Sequence, residues 1–124
     1  MADLQKELEE YISLVKTGKT PSNLQSKLEF FDLRGIQDGT ALDNNNKKAD
    51  AILIYSYIIE LFQIANKTPN PRYFFRRGYN YAELGEKDKA LSDYMRYVEL
   101  KPGEPSVYNN IGLFYLASPI GILT

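Results

Sequence analysis

The sequence predicts an all-α protein built from paired helices, and two observations support that prediction. First, apolar and small residues recur at helical spacing, as Phe74, Gly78 and Tyr81 do at i, i+4 and i+7. Second, residues 71–102 read as two amphipathic helices joined by a tight turn, and the same pattern starts again at Pro105. Because neither helix of such a pair can bury its apolar face alone, successive pairs are expected to stack.

Residues 71–102 resemble a tetratricopeptide repeat. The positions that match the large, small, aromatic and closing proline residues of that family are Phe74, Gly78, Tyr81, Ala90, Tyr94 and Pro102. Two positions depart from the family pattern, since Arg77 stands where an aliphatic residue is usual and Tyr97 where alanine is usual. The resemblance implies a short α-solenoid of about six helices in a right-handed superhelical stack, with the first helix of each pair lining a concave face.

Read in this way, the chain is a single domain, residues 1–124, with five segments. They are an N-terminal helix (1–19), a degenerate repeat (20–66), the best repeat (71–104), the first helix of an incomplete repeat (105–117) and a tail (118–124). In the N-terminal helix, an apolar stripe lies opposite a charged face, and its residues are Leu4, Leu8, Tyr11, Ile12 and Val15. Packing of this stripe against the repeats is favoured over a membrane-surface or partner-binding role, because the polar face is acidic. Gly85 is expected to end the first helix of the best repeat.

The degenerate repeat is expected to begin with a helix at Thr20-Pro21 and to align Gly35 with Gly78. Residues 38–49 are rich in glycine and asparagine, so they are predicted to form a loop that is four residues longer than its counterpart. The second helix is predicted to span residues 48–66, with an exit that is five residues longer than in the best repeat.

Composition narrows the function classes. A formal net charge of -1 argues against a dedicated nucleic-acid binder, and single-strand binding through arginine and tyrosine is kept only as a weaker alternative. The sequence contains no cysteine and no histidine, which removes disulfides, thiolate chemistry and the commonest general base and metal ligand. It also lacks the spacing of a calcium loop and the glycines of a nucleophile elbow. The sequence therefore predicts a non-enzymatic, cytoplasmic protein without cofactor, metal or membrane association.

The predicted partner-binding surface is the outer face of the first helices. Its residues are Arg72, Phe75, Arg76, Tyr79, Asn109, Asn110 and Leu113, with Glu29, Asp32 and Ile36 as the upstream counterparts. This groove would be acidic at one end, basic and aromatic in the middle and amide-rich at the other end. Such a mixture suits an extended segment of a protein or peptide partner that carries an acidic group.

Two alternatives apply to this surface. The arginines are either a binding site or only a solvated basic face, and Tyr79 either lines the groove or belongs to the core. Some members of the resembled family hold the C-terminal carboxylate of chaperones in a clamp of Lys, Arg and Asn. That clamp is disfavoured here, because Asp32 and Ile36 stand where the clamp needs Lys and Asn.

Two further expectations concern packing. The stem of Arg77 is expected to pack while its guanidinium pairs with a carboxylate such as Glu60 or Asp93. The incomplete third repeat leaves apolar residues such as Ile111 and Phe114 without cover. Three alternatives for this cover are the tail folding back, the N-terminal helix, and a second copy of the chain. Cover by a second copy gives the alternative function, a structural self-assembly module that forms a homodimer through this last repeat.

Overall fold

The computed structural model describes residues 2–103, and these residues form five α-helices and no strand. The helices are α1 (Ala2–Lys16), α2 (Leu24–Asn44), α3 (Lys48–Ile64), α4 (Pro71–Glu83) and α5 (Lys87–Leu100). The all-α prediction is thus confirmed for the described residues. The predicted sixth helix (105–117) and the tail (118–124) lie outside them, so self-assembly through the last repeat stays a prediction.

The chain divides into two compact units, and the division falls within α4, after Tyr73. The first unit contains α1, α2, α3 and the first turn of α4. The second unit begins at Phe74 and contains the rest of α4 together with α5.

The core of the first unit forms where α3 packs against both α1 and α2. The predicted apolar stripe of α1 supplies Leu4, Leu8 and Ile12 to this core, and all three are buried. The ring of Tyr11 lies 5.7 Å from that of Phe31 on α2. Packing of α1 against the helical pair is therefore confirmed. Burial of these side chains is the main source of stability, at about 1.5–3 kcal/mol for each fully buried aliphatic residue.

The predicted start of α2 at Thr20-Pro21 is wrong, because the helix begins at Leu24. Asn23 precedes the first helical residue, but its side chain does not cap the helix. Instead, Asn23 Oδ1 accepts a hydrogen bond from the Tyr11 hydroxyl at 3.1 Å. The polar side chain at the helix start is thus used to hold α1 against α2.

The predicted loop at residues 38–49 is also wrong. Helix α2 continues to Asn44, and only residues 45–47 connect it to α3. Leu42, in the middle of the predicted loop, is buried. The turn is made by Asn46, which adopts a left-handed conformation with φ of 59°, a conformation that asparagine tolerates better than most residues.

The glycine that corresponds to Gly78 in the first unit is Gly39 rather than Gly35. A Cβ atom added to Gly39 would lie 2.2 Å from the Tyr55 ring, and one added to Gly78 would lie 3.1 Å from the Tyr94 ring. The spacing along the sequence from Gly39 to Tyr55 is the same as that from Gly78 to Tyr94. The two helical pairs therefore correspond with Gly39 matched to Gly78 and Tyr55 matched to Tyr94.

This correspondence removes the predicted longer loop between the helices of the first pair, because the connections after Asn44 and after Glu83 have equal lengths. The predicted five-residue lengthening of the exit between α3 and α4 remains. The stretch from Tyr55 to Gly78 is longer by that amount than the stretch from Tyr94 to Gly112.

Helices α4 and α5 form the predicted helical pair, and all of it except the first turn of α4 lies in the second unit. Gly78 allows close approach, because its Cβ position is only 3.2 Å from the Ala90 carbonyl oxygen of α5. Gly85, in the turn between the helices, has φ of 81° and so takes the left-handed conformation that glycine adopts without strain. None of the helices between residues 2 and 103 combines the length and the apolar character that crossing a membrane requires.

Candidate partner-binding surfaces

The start of α4 is fixed by Asn70 and Pro71. The Asn70 side-chain oxygen accepts a hydrogen bond from the Arg72 backbone N–H at 3.1 Å, which satisfies one of the N–H groups that a helix start leaves free. Pro71 is the first helical residue, where a proline costs nothing because its missing N–H has no partner there anyway. The side chain of Arg72 is exposed.

The next predicted site residues on α4 differ in their surroundings. Tyr79 is exposed over 47% of its surface, so the interpretation of Tyr79 as a core residue is wrong. A hydrogen bond to Glu83, one turn further along α4, raises the pKa of the Tyr79 hydroxyl. Arg76 is half-buried. Phe75 is half-buried as well, because its ring packs against those of Tyr94 and Tyr97 on α5, at centroid distances of 5.8 Å and 5.2 Å.

The α4 surface, by which we mean Arg72, Phe75, Arg76 and Tyr79, therefore presents mainly two guanidinium groups and one phenol. The remaining predicted site residues, Asn109, Asn110 and Leu113, lie outside the described residues. Nothing in the described part of the chain tests whether the α4 surface binds a partner, so its role stays a prediction.

Arg77, on the inner side of α4, forms a bidentate pair with Asp93 of α5. Its Nε and Nη2 atoms donate hydrogen bonds to the two carboxylate oxygens at 2.8 Å and 2.7 Å. Burial raises the pKa of Asp93 above its usual value, although the neighbouring guanidinium lowers it. The guanidinium also lies 5.9 Å from the Phe74 ring centroid and 5.8 Å from that of Tyr81. The predicted pairing of Arg77 is confirmed for Asp93.

The other carboxylate named for Arg77, Glu60, has a different partner. Its Oε2 atom lies 2.8 Å from Lys16 Nζ. This pair links the C-terminal end of α1 to α3, and its side chains are 56% and 39% exposed. Such surface pairs contribute little to stability, whereas the enclosed Arg77–Asp93 pair fixes how α5 sits on α4.

The match of Gly39 with Gly78 changes the residues of α2 that correspond to the α4 surface. They are Leu33, Ile36, Gln37 and Thr40. None of the four is charged, and Leu33 is exposed over 60% of its surface. The positions of α2 that correspond to the α4 surface are therefore uncharged rather than acidic. The alignment of Gly35 with Gly78 places Glu29 opposite Arg72 and Asp32 opposite Phe75. That assignment is therefore wrong.

Glu29 and Asp32 instead line an open cleft in the first unit, with a volume of about 240 Å³. The lining residues are Gln25, Leu28, Glu29 and Asp32 of α2, Phe62 of α3, and Lys67 and Thr68 of the connection to α4. Sequence reasoning missed this cleft. The one feature of the sequence that pointed to this cleft is the longer connection between α3 and α4, which supplies two of the lining residues.

These features define the class of the protein: it is all-α in its described residues and is built from helical pairs with polar and aromatic outer faces. No protein-family model matches the sequence, and no solved structure matches it.

The chain is similar to proteins named photosystem I assembly protein Ycf3. It is 31% identical over 97 residues to that of Rippkaea orientalis, covering 77% of this chain and 52% of the relative. Identity to the Synechococcus sp. protein is 28% over 95 residues, with coverage of 77% and 52%. For Prochlorococcus marinus subsp. pastoris it is 30% over 79 residues, with coverage of 64% and 44%. The chain thus spans about half the length of the curated relatives it matches.

Proposed function

We propose that this chain is a non-catalytic scaffold for protein–protein interaction, of the tetratricopeptide-repeat type, that assists the assembly of a larger protein complex. Two findings support the proposal. The chain folds into helical pairs whose apolar faces are buried and whose polar faces remain accessible, and its relatives are named as assembly proteins. By analogy with those names, its partners are subunits of photosystem I or of a comparable complex. A cytoplasmic location is part of this proposal.

The α4 surface is the proposed contact. The main support for it is that Arg72 and Tyr79 are exposed. The helix that presents them is held by hydrogen bonds at its start and on its inner face. Arginine offers planar donors that fit a carboxylate in a bidentate manner. Tyrosine offers apolar area at a low cost in side-chain entropy. A partner segment with Asp or Glu side chains beside an apolar residue fits both groups.

The test is binding of the intact chain to overlapping peptides that cover the photosystem I subunits. Binding should concentrate in acidic peptides, and the double variant Arg72→Ala/Arg76→Ala should weaken it about tenfold or more, because charge-assisted hydrogen bonds are lost. The control, Lys87→Ala/Lys101→Ala, removes the same charge from two exposed lysines. Equal affinity of the two double variants, or no binding to any peptide, would overturn the proposal.

A further inference from the structure

The exposed large apolar side chains of the first unit lie on the outer faces of α1 and α2. Among residues 4–73 they are Leu14 of α1, which is 45% exposed, and Phe30 and Leu33 of α2, which are 38% and 60% exposed. A single exposed apolar residue is ordinary on a protein surface. Here all three lie beside charged side chains on two neighbouring helices, which is typical of an interaction surface with a polar rim.

The exposed leucine of α1 lies beside two carboxylates. Glu7, Glu10 and Leu14 follow one another at intervals of three and four residues, so they share one face of the helix, and all three are exposed. Neither carboxylate forms an ion pair with any of residues 2–103, including the neighbouring Lys6. We call these three residues the acidic face of α1.

The exposed apolar residues of α2 lie beside two cations. The centroid of the Phe30 ring is 5.5 Å from Lys27 Nζ and 5.7 Å from Arg34 Cζ. Arg34 also contacts Asp38, at 3.2 Å, whereas Lys27 has no carboxylate partner within residues 2–103. Two positive charges against the one negative charge of Asp38 leave this surface net positive. We call Lys27, Phe30, Leu33 and Arg34 the basic face of α2.

The helices that carry these two faces are held side by side. The Tyr11 ring of α1 lies 5.7 Å from the Phe31 ring of α2, and the Tyr11 hydroxyl donates a hydrogen bond to Asn23 Oδ1 at 3.1 Å. A two-fold axis beside this seam can therefore place α1 of each copy on α2 of the other copy. Such an interface contains the same contact twice, as two-fold dimers do.

We propose that a second copy of this chain covers both faces, with the acidic face of α1 in each copy lying on the basic face of α2 in the other. The carboxylates then meet cations of opposite charge, and Leu14 lies against Phe30 and Leu33. Burial of the apolar side chains favours association, while the charges determine the register and the choice of partner. This contact uses neither the α4 surface nor residues 105–117, so it is independent of the functions proposed for them.

The test is analytical ultracentrifugation of the intact chain over a range of concentrations. We expect a monomer–dimer equilibrium with a dissociation constant on the order of 10–100 µM, and added salt should weaken it by screening exposed charges. The variants Glu7→Lys/Glu10→Lys and Lys27→Glu/Arg34→Glu should each weaken self-association about tenfold or more, because like charges then meet at both contacts.

Mixing the two charge-reversed proteins tests the pairing of the faces directly. In the mixed dimer one contact joins two reversed faces and the other joins two parental faces, so opposite charges meet again and association should return to the parental strength. The control Lys87→Glu/Lys101→Glu reverses two exposed lysines outside both faces and should associate as the parent does. Leu33→Ser, which removes an exposed side chain and leaves the charges unchanged, should weaken the dimer several-fold and replaces any charge-reversed variant that does not fold.

Three results would each overturn the proposal. The first is a strict monomer at every concentration, which would leave the two faces to a different protein. The second is a dimer that neither the charge reversals nor Leu33→Ser weaken, because the copies would then meet through another surface. The third is a failure of the two folded, charge-reversed proteins to associate when they are mixed.

Discussion

Arg77 and Asp93 face each other across α4 and α5 and share two hydrogen bonds, at 2.8 Å and 2.7 Å. Asp93 is only 4% exposed, so each charge depends on the other for compensation inside the helical pair. In the repeat family that this stretch resembles, an aliphatic residue is usual at the position of Arg77. The ion pair therefore replaces an apolar contact by a directional one, and it sets which turn of α5 lies against α4.

Removing one partner of this pair should lower stability strongly. Removing both should lower it much less than the two single losses added together. Arg77→Leu and Asp93→Ala should each lower the free energy of unfolding by about 3–5 kcal/mol, because each leaves an uncompensated buried charge. The double variant should lose clearly less than the two single losses combined. Urea unfolding of the four proteins measures this coupling. A double-variant loss equal to the sum of the two single losses would contradict the coupling. The surface pair Lys16 and Glu60 is the control, with an expected coupling below about 1 kcal/mol.

A methyl group at Gly39 should destabilise the first unit. The Cβ of Gly39→Ala would lie 2.2 Å from a ring carbon of Tyr55, and that ring is held by a hydrogen bond from its hydroxyl to Asp43 Oδ2 at 2.8 Å. We expect a loss of about 1–3 kcal/mol from overpacking, reduced by the better helix propensity of alanine.

The matched control for this variant is Gly103→Ala, since no atom of residues 2–103 lies within 4 Å of a Cβ added there. Its stability should stay within about 0.5 kcal/mol of the parent. Thermal or urea unfolding measures both variants. A Gly39→Ala protein as stable as the Gly103→Ala protein would mean that Tyr55 does not pack on α2 at this position.

The contact between α1 and α3 should depend on pH through Glu9. Hydrogen bonds from Gln5 and from the Tyr57 hydroxyl lower the pKa of Glu9 below its ordinary value of 4.5, and the Tyr57 bond is 2.9 Å long. A lowered pKa in the folded state means that Glu9 contributes stability above pH 4.5 and loses that contribution as pH falls through the folded pKa. Titration of the Glu9 carboxyl by nuclear magnetic resonance should show the lowered value.

The variant Tyr57→Phe removes one of the two donors and keeps the ring. The pKa of Glu9 should then move back towards 4.5. A Glu9 that titrates above 4.5 in the parent, or that is indifferent to Tyr57→Phe, would show that this link between α1 and α3 is not formed.

The helices whose faces are regular could be predicted from the sequence. The stripe of α1 and the face of α4 follow the helical period, and Pro71 and Gly85 mark the limits of α4 by their backbone chemistry. The partner of Arg77 was also predictable, because a charged residue at a packing position requires an opposite charge within reach.

The C-terminal half of α2 could not be predicted in the same way. Gly39 and the asparagines after it have the composition of a loop, yet Gly39 lies within α2. A glycine is needed at this position because the Tyr55 ring from α3 occupies the space of a side chain. That requirement comes from a tertiary contact and leaves no local pattern. The cleft was missed for the same reason, since residues of α2 and of the connection after α3 meet only in the fold.

The correspondence of Gly39 with Gly78 decides which residues of α2 and α4 occupy equivalent places in the two helical pairs. It is tested most directly by nuclear Overhauser contacts between glycine α-protons and tyrosine rings. We expect strong contacts from Gly39 to the Tyr55 ring and from Gly78 to the Tyr94 ring. A strong contact from the Tyr55 ring to Gly35, with none to Gly39, would contradict the correspondence. It would return Glu29 and Asp32 to the places of Arg72 and Phe75.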